Sequence, residues 1–158
     1  SKELYYPIRL KPIGDYSMEA LKEKGISHIE IRSLDLNPLA EFRIDKRDLK
    51  FIHKLIAYAT VLPDIKSSEE EQFASIVNMK KAAHINLEEI NIKLEGKEDN
   101  ILNHGRRILE SMLEIFPNDS DILFQLEKIN NPKKRYANII KERYCNKYNE
   151  LGLELAKK

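Results

Sequence analysis

His28-Ile29-Glu30-Ile31-Arg32-Ser33-Leu34 alternates polar and apolar side chains as far as Arg32. A period of two marks an extended strand whose two faces meet different surroundings. Residues two apart on a strand point the same way. His28, Glu30 and Arg32 therefore share one face, and Ile29 and Ile31 share the other. Towards the N-terminus, Leu4 to Leu10 mixes aromatic, Ile and Leu residues around Pro7. Proline lacks a backbone donor, so this second strand belongs at a sheet edge or a bulge. A short helix lies between the two, with Ser17 as N-cap, Met18, Ala20 and Leu21 inside it, and Gly25 as a left-handed stop. The unit reads strand, helix, strand, and the sequence leaves open whether its strands are neighbours.

Beyond residue 45 the pattern becomes helical. Asp45 caps a segment with Leu49, Ile52, Leu55, Ile56 and Ala59 on one face, bounded by Pro63. Ser67 with Glu70 three residues on has the form of a capping box for a helix carrying Phe73, Ile76, Val77 and Met79. Residues 84 to 98 are less regular and read as a connection with a short strand at Ile90 to Leu94. Helices follow over Ile101–Phe116, Ser120–Ile129 and Pro132–Lys157, punctuated by Pro117 and Asn131-Pro132. The last one places Tyr136, Ile140, Tyr144, Leu151 and Leu155 on a broad stripe that reads as core. The expected class is α+β, mostly helical, with a small two-stranded strand–helix–strand part at the N-terminus.

The 158 residues carry 27 basic and 26 acidic side chains, a formal net charge of +1. So even a balance argues against a general nucleic-acid binder, which normally shows a basic excess. No apolar run approaches the roughly 20 residues needed to cross a bilayer, and the first residues lack a signal-peptide pattern. The single Cys145 has no partner for an internal disulfide, which fits a reducing, cytoplasmic setting. The chain opens on Ser1 and enters an apolar, aromatic segment at once, so it reads as part of a larger protein.

Two segments carry the candidate chemistry. A carboxylate beside a guanidinium, as in Glu30 and Arg32, suits a phosphate-transfer site: the first holds magnesium and the second binds phosphoryl oxygens in a bidentate way. The same spacing equally describes a solvated strand face with a salt bridge. Tyr5 and Arg9 suit a carboxylate or nucleotide, or else an edge strand with one solvated arginine. His28 shares the face of Glu30 but reads as a polar surface group. His53, His84 and His104 show no metal-ligand spacing. There is no glycine-rich phosphate loop, and Lys133-Lys134-Arg135 reads as a solvated basic cluster.

Taken together, Glu3-Leu4-Tyr5-Tyr6-Pro7-Ile8-Arg9-Leu10-Lys11 and Gly25-Ile26-Ser27-His28-Ile29-Glu30-Ile31-Arg32-Ser33-Leu34-Asp35-Leu36-Asn37-Pro38 closely resemble bacterial glutamate–cysteine ligase. The resemblance runs through Leu49–Leu62, Ser67-Ser68-Glu69 and Val77-Asn78-Met79-Lys80, and fades beyond about residue 85. Gly105 to Met112 again looks like the family's C-terminal helical region. The resemblance implies an ATP- and Mg2+-dependent ligase that activates the side-chain carboxylate of glutamate as γ-glutamyl phosphate and joins it to the amine of cysteine. It implies Glu30 as a magnesium ligand, Arg32 as a catalytic contact to the phosphate-bearing region, and Tyr5 and Arg9 as substrate-binding residues. Asp35 and Asn37 are expected to fix the signature turn.

Family enzymes are much longer, and their other metal carboxylates precede the point where this chain begins. The expectation is therefore a C-terminal fragment of the catalytic domain, with 1–45 holding the site residues and 46–158 a helical region. Such a fragment is inactive alone, depends on the missing N-terminal part of the same polypeptide, and is prone to homodimerise through open edges. The end of the chain suits either a natural C-terminus or a fusion to a glutathione synthetase domain. The competing reading is a non-catalytic helical interaction module that retains the ligase signature.

Overall fold

Ser17 and Gly25 fix the two ends of the first helix and so return the chain alongside itself. In the computed structural model, which describes residues 7–64, 66–94, 96–145 and 147–157, the chain divides into two units. One ends at Leu36 and the other begins at Asn37.

The first unit consists of β1 (Ile8–Lys11), α1 (Met18–Lys24) and β2 (His28–Ile31). The Ser17 hydroxyl accepts from the Ala20 amide at 2.9 Å, which satisfies one of the helix's orphan donors. Gly25 ends the helix at φ 71°, a backbone conformation that only glycine adopts without a steric penalty. β1 and β2 pair antiparallel, with Ile8 opposite Ile31, Arg9 opposite Glu30, Leu10 opposite Ile29 and Lys11 opposite His28. The pairing extends one bond past each strand. The Arg32 amide donates to the Pro7 carbonyl at 2.7 Å, and the Ser27 amide to the Lys11 carbonyl at 2.8 Å. Pro7 thus sits just before β1, where its missing donor breaks no ladder bond. The part of the expected first strand before Pro7 lies outside the described residues.

The second unit is built on α2 (Lys46–Val61), α4 (Ile101–Ile115) and α5 (Ser120–Asn130). Its core is Tyr58, Leu109, Met112 and Ile122, with Phe51, Leu55, Leu113, Phe116, Leu126 and Ile129 packed around it. Met112 and Ile122 are wholly buried. Each helix starts where the sequence supplies a cap: Asp45 accepts from Arg47, Asn100 from Leu102, and Asp119 from Asp121 and Ile122. The Ile129 side chain of α5 packs over Gly105 of α4, its Cδ1 methyl 2.8 Å from where a Cβ would stand. Charged groups tie the helices at their ends. Lys54 reaches Asp119 at 2.5 Å and Asp121 at 2.6 Å. Asp48 accepts from Gln125 at 2.8 Å, Lys128 at 2.9 Å and the Tyr136 hydroxyl at 2.9 Å.

Three local expectations need correction. The capping box of α3 (Glu69–Ala82) is formed by Ser68 and Glu71, one residue later than expected. Ser67-x-x-Glu70 and Ser68-x-x-Glu71 fit the pattern equally, and the pattern alone cannot set the phase. A second antiparallel sheet pairs β3 (Asn91–Leu94) with β4 (Lys97–Asn100). β4 reads Lys-Glu-Asp-Asn, without one β-branched or aromatic residue, so pairing and not propensity makes it a strand. The Asn78 side chain of α3 bonds both the amide and the carbonyl of Lys93, imitating a neighbouring strand. Finally, the single terminal helix is interrupted. A 3-10 turn at Pro132–Lys134 precedes α6 (Tyr136–Tyr144) and α7 (Tyr148–Ala156). α6 ends at Tyr144, and the Lys147 amide turns back to the Tyr144 carbonyl at 2.6 Å.

Truncating Ile122 to Ala should lower the stability of the helical unit by about 2–4 kcal/mol in urea unfolding. Leu153→Ala, at an exposed position, should stay within about 0.5 kcal/mol. Acid should unfold this unit through its paired carboxylates. The Asn103 amide, then Arg107 and the Asn100 amide, hold the Asp99 carboxyl down at about 2 against an ordinary 3.8. The Arg47 side chain holds Asp45 well below the usual carboxylate range. Carboxylates lowered by folding contribute stability above their ordinary value and lose it as pH falls through the folded value. The urea midpoint should therefore hold steady down to about pH 5 and fall steeply between about pH 4 and pH 2.

Candidate functional site

The β1–β2 register sorts the first unit's side chains onto two chemically different faces. Ile8, Leu10, Ile29 and Ile31 lie on one, since directly opposed residues share a face. Arg9, Lys11, His28 and Glu30 lie on the other, and Arg32 continues it by the same alternation. The shared face expected for His28, Glu30 and Arg32 thus gains Arg9 and Lys11 from the opposite strand.

Glu30 is the centre of this polar face. Arg32 grips its carboxylate with two bonds, Nε to Oε1 at 2.9 Å and Nη2 to Oε2 at 3.2 Å. Bidentate guanidinium–carboxylate pairing fixes orientation as well as charge. The Lys11 ammonium stands 3.5 Å from Oε2 on the other side. The hydrogen bond from Arg32 holds the Glu30 carboxyl below its usual range against the opposing effect of desolvation, helped by the charges of Arg32 and Lys11. Arg9 lies directly across the ladder from Glu30, and its guanidinium carbon sits 4.2 Å from the centre of the Tyr16 ring. The Lys11 ammonium lies 5.5 Å from the same ring.

Of the sequence-predicted site residues, Glu30, Arg32 and Arg9 come together on this face, and Tyr5 lies outside the described residues. His28 is exposed at the face's edge. Asp35 accepts from the Leu36 amide at 2.8 Å. Asn37 is buried, and its side chain accepts from the Leu39 amide at 3.0 Å while its own amide donates to the Arg43 carbonyl. Both side chains are engaged with the backbone of their own turns. Lys11 and Tyr16 were not singled out from the sequence. For Lys11 the signal was present, because Arg9-x-Lys11 is itself a period-two pair. Tyr16 lies in a connection, where no periodicity points to it.

The face presents three cationic side chains around one ionised carboxylate. Such a set binds anionic oxygens through its cations and offers a hard oxygen donor to a divalent metal. Among the described residues no group of three or more His, Cys, Asp or Glu side chains is placed to hold a metal ion. Elsewhere, His104 is buried in α4. The Arg107 guanidinium, which can only donate, lies 2.9 Å from its Nδ1, so the ring proton is on Nε2, which has no partner among the described residues. Cys145 is exposed. No described helix is long and apolar enough to cross a membrane.

The family model for glutamate–cysteine ligase matches residues 1–82. A glutathione biosynthesis bifunctional protein of Clostridium perfringens is 36% identical over 97% of this chain and 22% of its own length. A glutamate–cysteine ligase of Shewanella oneidensis is 30% identical over 79% of this chain and 23% of its own. Another, from Leptospira interrogans, is 30% identical over 98% of this chain and 33% of its own. The chain thus spans between about a fifth and a third of the length of these relatives. The family model ends at residue 82, near where the signature fades, yet two of these relatives align with almost the whole chain. The helical region is therefore shared with them as well.

The Glu30–Arg32 grip has a direct readout. In a pH titration followed by the side-chain carboxyl carbon resonance, Glu30 should titrate below an ordinary glutamate. Arg32→Ala should move its midpoint upwards, towards the ordinary value.

Proposed function

The chain belongs to the glutamate–cysteine ligase family, and we propose that it supplies one wall of an ATP-dependent ligase site. The reaction joins the side-chain carboxylate of glutamate to the amine of cysteine, the first step of glutathione biosynthesis. A glutamate carboxylate oxygen takes the terminal phosphoryl group of ATP, and the bond from that phosphorus to ADP breaks. The cysteine amine then attacks the acyl carbon of γ-glutamyl phosphate. Phosphate leaves with the carbon–oxygen bond pair, and the amine gives up a proton as the amide forms.

The observation that carries this reading is the convergence of Arg9, Glu30 and Arg32 on one sheet face. Phosphoryl transfer needs little covalent help from a protein and much charge stabilisation and positioning. Arg32 presents a fixed fork suited to phosphoryl oxygens. Arg9 and Tyr5 are assigned to substrate binding. Glu30 is a partly exposed, ionised oxygen donor, so it fits as one ligand of magnesium, which would neutralise charge on the transferring phosphoryl when bound. A magnesium site takes several oxygen donors, so the others come from substrate and from the part of the enzyme outside this chain.

Two further features support dependence on that part. The apolar sheet face is open, with Ile8 54%, Leu10 42% and Ile29 40% exposed. The relatives extend well beyond this chain. Residues 1–45 and 46–158 are thus read as the site-bearing and helical portions of a catalytic domain that works in the cytoplasm only as a whole. On its own, this stretch is inactive and prone to pair through its open face.

The deciding measurement is ADP release by the full-length gene product with glutamate, cysteine, ATP and magnesium. Release should require both amino acids, and Glu30→Ala should lower kcat by roughly a hundredfold or more, the usual cost of removing a group that meets transition-state charge. Arg32→Lys should cost at least about tenfold, because an ammonium cannot reproduce the bidentate fork. ADP release at the wild-type rate from Glu30→Ala would remove Glu30 from the site. No release from a well-folded full-length protein would favour a non-catalytic module that keeps the signature.

A further inference from the structure

Arg9 and Lys11 are like charges two residues apart on one strand face, and mutual repulsion alone would splay them. Tyr16 lies against both, with the Arg9 guanidinium carbon 4.2 Å and the Lys11 ammonium 5.5 Å from its ring centre. An aromatic face attracts cations through its quadrupole, and one ring can serve two of them. The ring's place is fixed by its surroundings in the chain. Pro12 is buried directly after β1. Gly14 turns the connection at φ 82°, and the very next residue after Tyr16 is Ser17, anchored as the cap of α1. The Tyr16 hydroxyl makes no hydrogen bond among the described residues, so its contacts there are those of the ring. Tyr16 is also 47% exposed, which makes it a poor core residue and leaves the face open beside it.

We propose that Tyr16 is a positioning residue for the ligase site: its ring holds Arg9 and Lys11 together beside Glu30, so that both cations meet an anionic substrate, ATP or glutamate, at once. The proposal rests on the assignment of Arg9 and Glu30 to the site. Tyr16 itself touches no reacting atom and acts through the two cations. Lys11 joins the site by the same geometry, 3.5 Å from the Glu30 carboxylate.

The test compares Tyr16→Phe, Tyr16→Leu and Glu30→Ala in the full-length gene product by steady-state kinetics. Tyr16→Leu should raise KM for ATP or glutamate about three- to fivefold, the scale of a partly exposed cation–π contact, with kcat within about twofold. Tyr16→Phe, which keeps the ring, should stay within about 1.5-fold of wild type in both. In an Arg9→Ala background, Tyr16→Leu should raise KM by less than it does alone. Equal values for Tyr16→Leu and Tyr16→Phe, whether both unchanged or both impaired, would overturn the role of the ring. If Glu30→Ala abolishes activity while Tyr16→Leu behaves as wild type, this proposal fails and the site assignment stands. Full activity in Glu30→Ala overturns the site assignment, and the proposal built on it falls too.

Discussion

The antiparallel register of β1 and β2 is the constraint on which the candidate site depends. Arg9 opposes Glu30 and Lys11 opposes His28, so every polar side chain of the pair falls on one face and every isoleucine and leucine on the other. A slip of one residue would exchange the faces of one strand and set isoleucine against Glu30. The register is held at both ends by backbone bonds, from Arg32 to Pro7 and from Ser27 to Lys11. The loop and helix between the strands set how the chain returns, through the Ser17 cap and the Gly25 turn. Small local choices therefore decide where three cations and one carboxylate meet.

The ion pairs of the polar face fix orientation more than they stabilise the fold. Glu30 is too exposed for its pairing with Arg32 and Lys11 to contribute much to folding, as is usual for surface ion pairs. The pairing fixes direction: a bidentate guanidinium leaves the carboxylate little rotational freedom. The helical unit uses charge in another way. Lys54, Asp48 and Lys128 are partly buried and each meets opposite charge from another helix. There the pairs join α2 to the start and the end of α5.

The apolar content of the two units follows the same division. In the helical unit Met112 and Ile122 are sealed between α2, α4 and α5. In the first unit Ile8 and Leu10 remain largely exposed, and a two-stranded sheet with an uncovered apolar face is marginal by itself in water. α3 shows the same tendency: its Phe73 is 68% exposed. Open apolar surface on both units accords with a chain that matches only part of each relative's length.

The sequence by itself determined what local chemistry can specify. Period-two alternation placed Glu30 and Arg32 on one face, cap residues marked the starts of α1 and α2, Pro117 separated α4 from α5, and the signature strings pointed to the ligase family. Those signals are local because strand alternation, capping and turn geometry act within a few residues. Only the tertiary structure decided the rest. It paired β1 with β2, so that Arg9 and Lys11 came to Glu30 from residues about twenty positions away. It made a strand of Lys97–Asn100 by giving its backbone a partner, despite side chains of low strand propensity. It also placed the Tyr16 ring beneath two cations from a connection with no pattern of its own. These outcomes rest on which distant backbone groups find each other, and a short stretch of sequence carries no record of that.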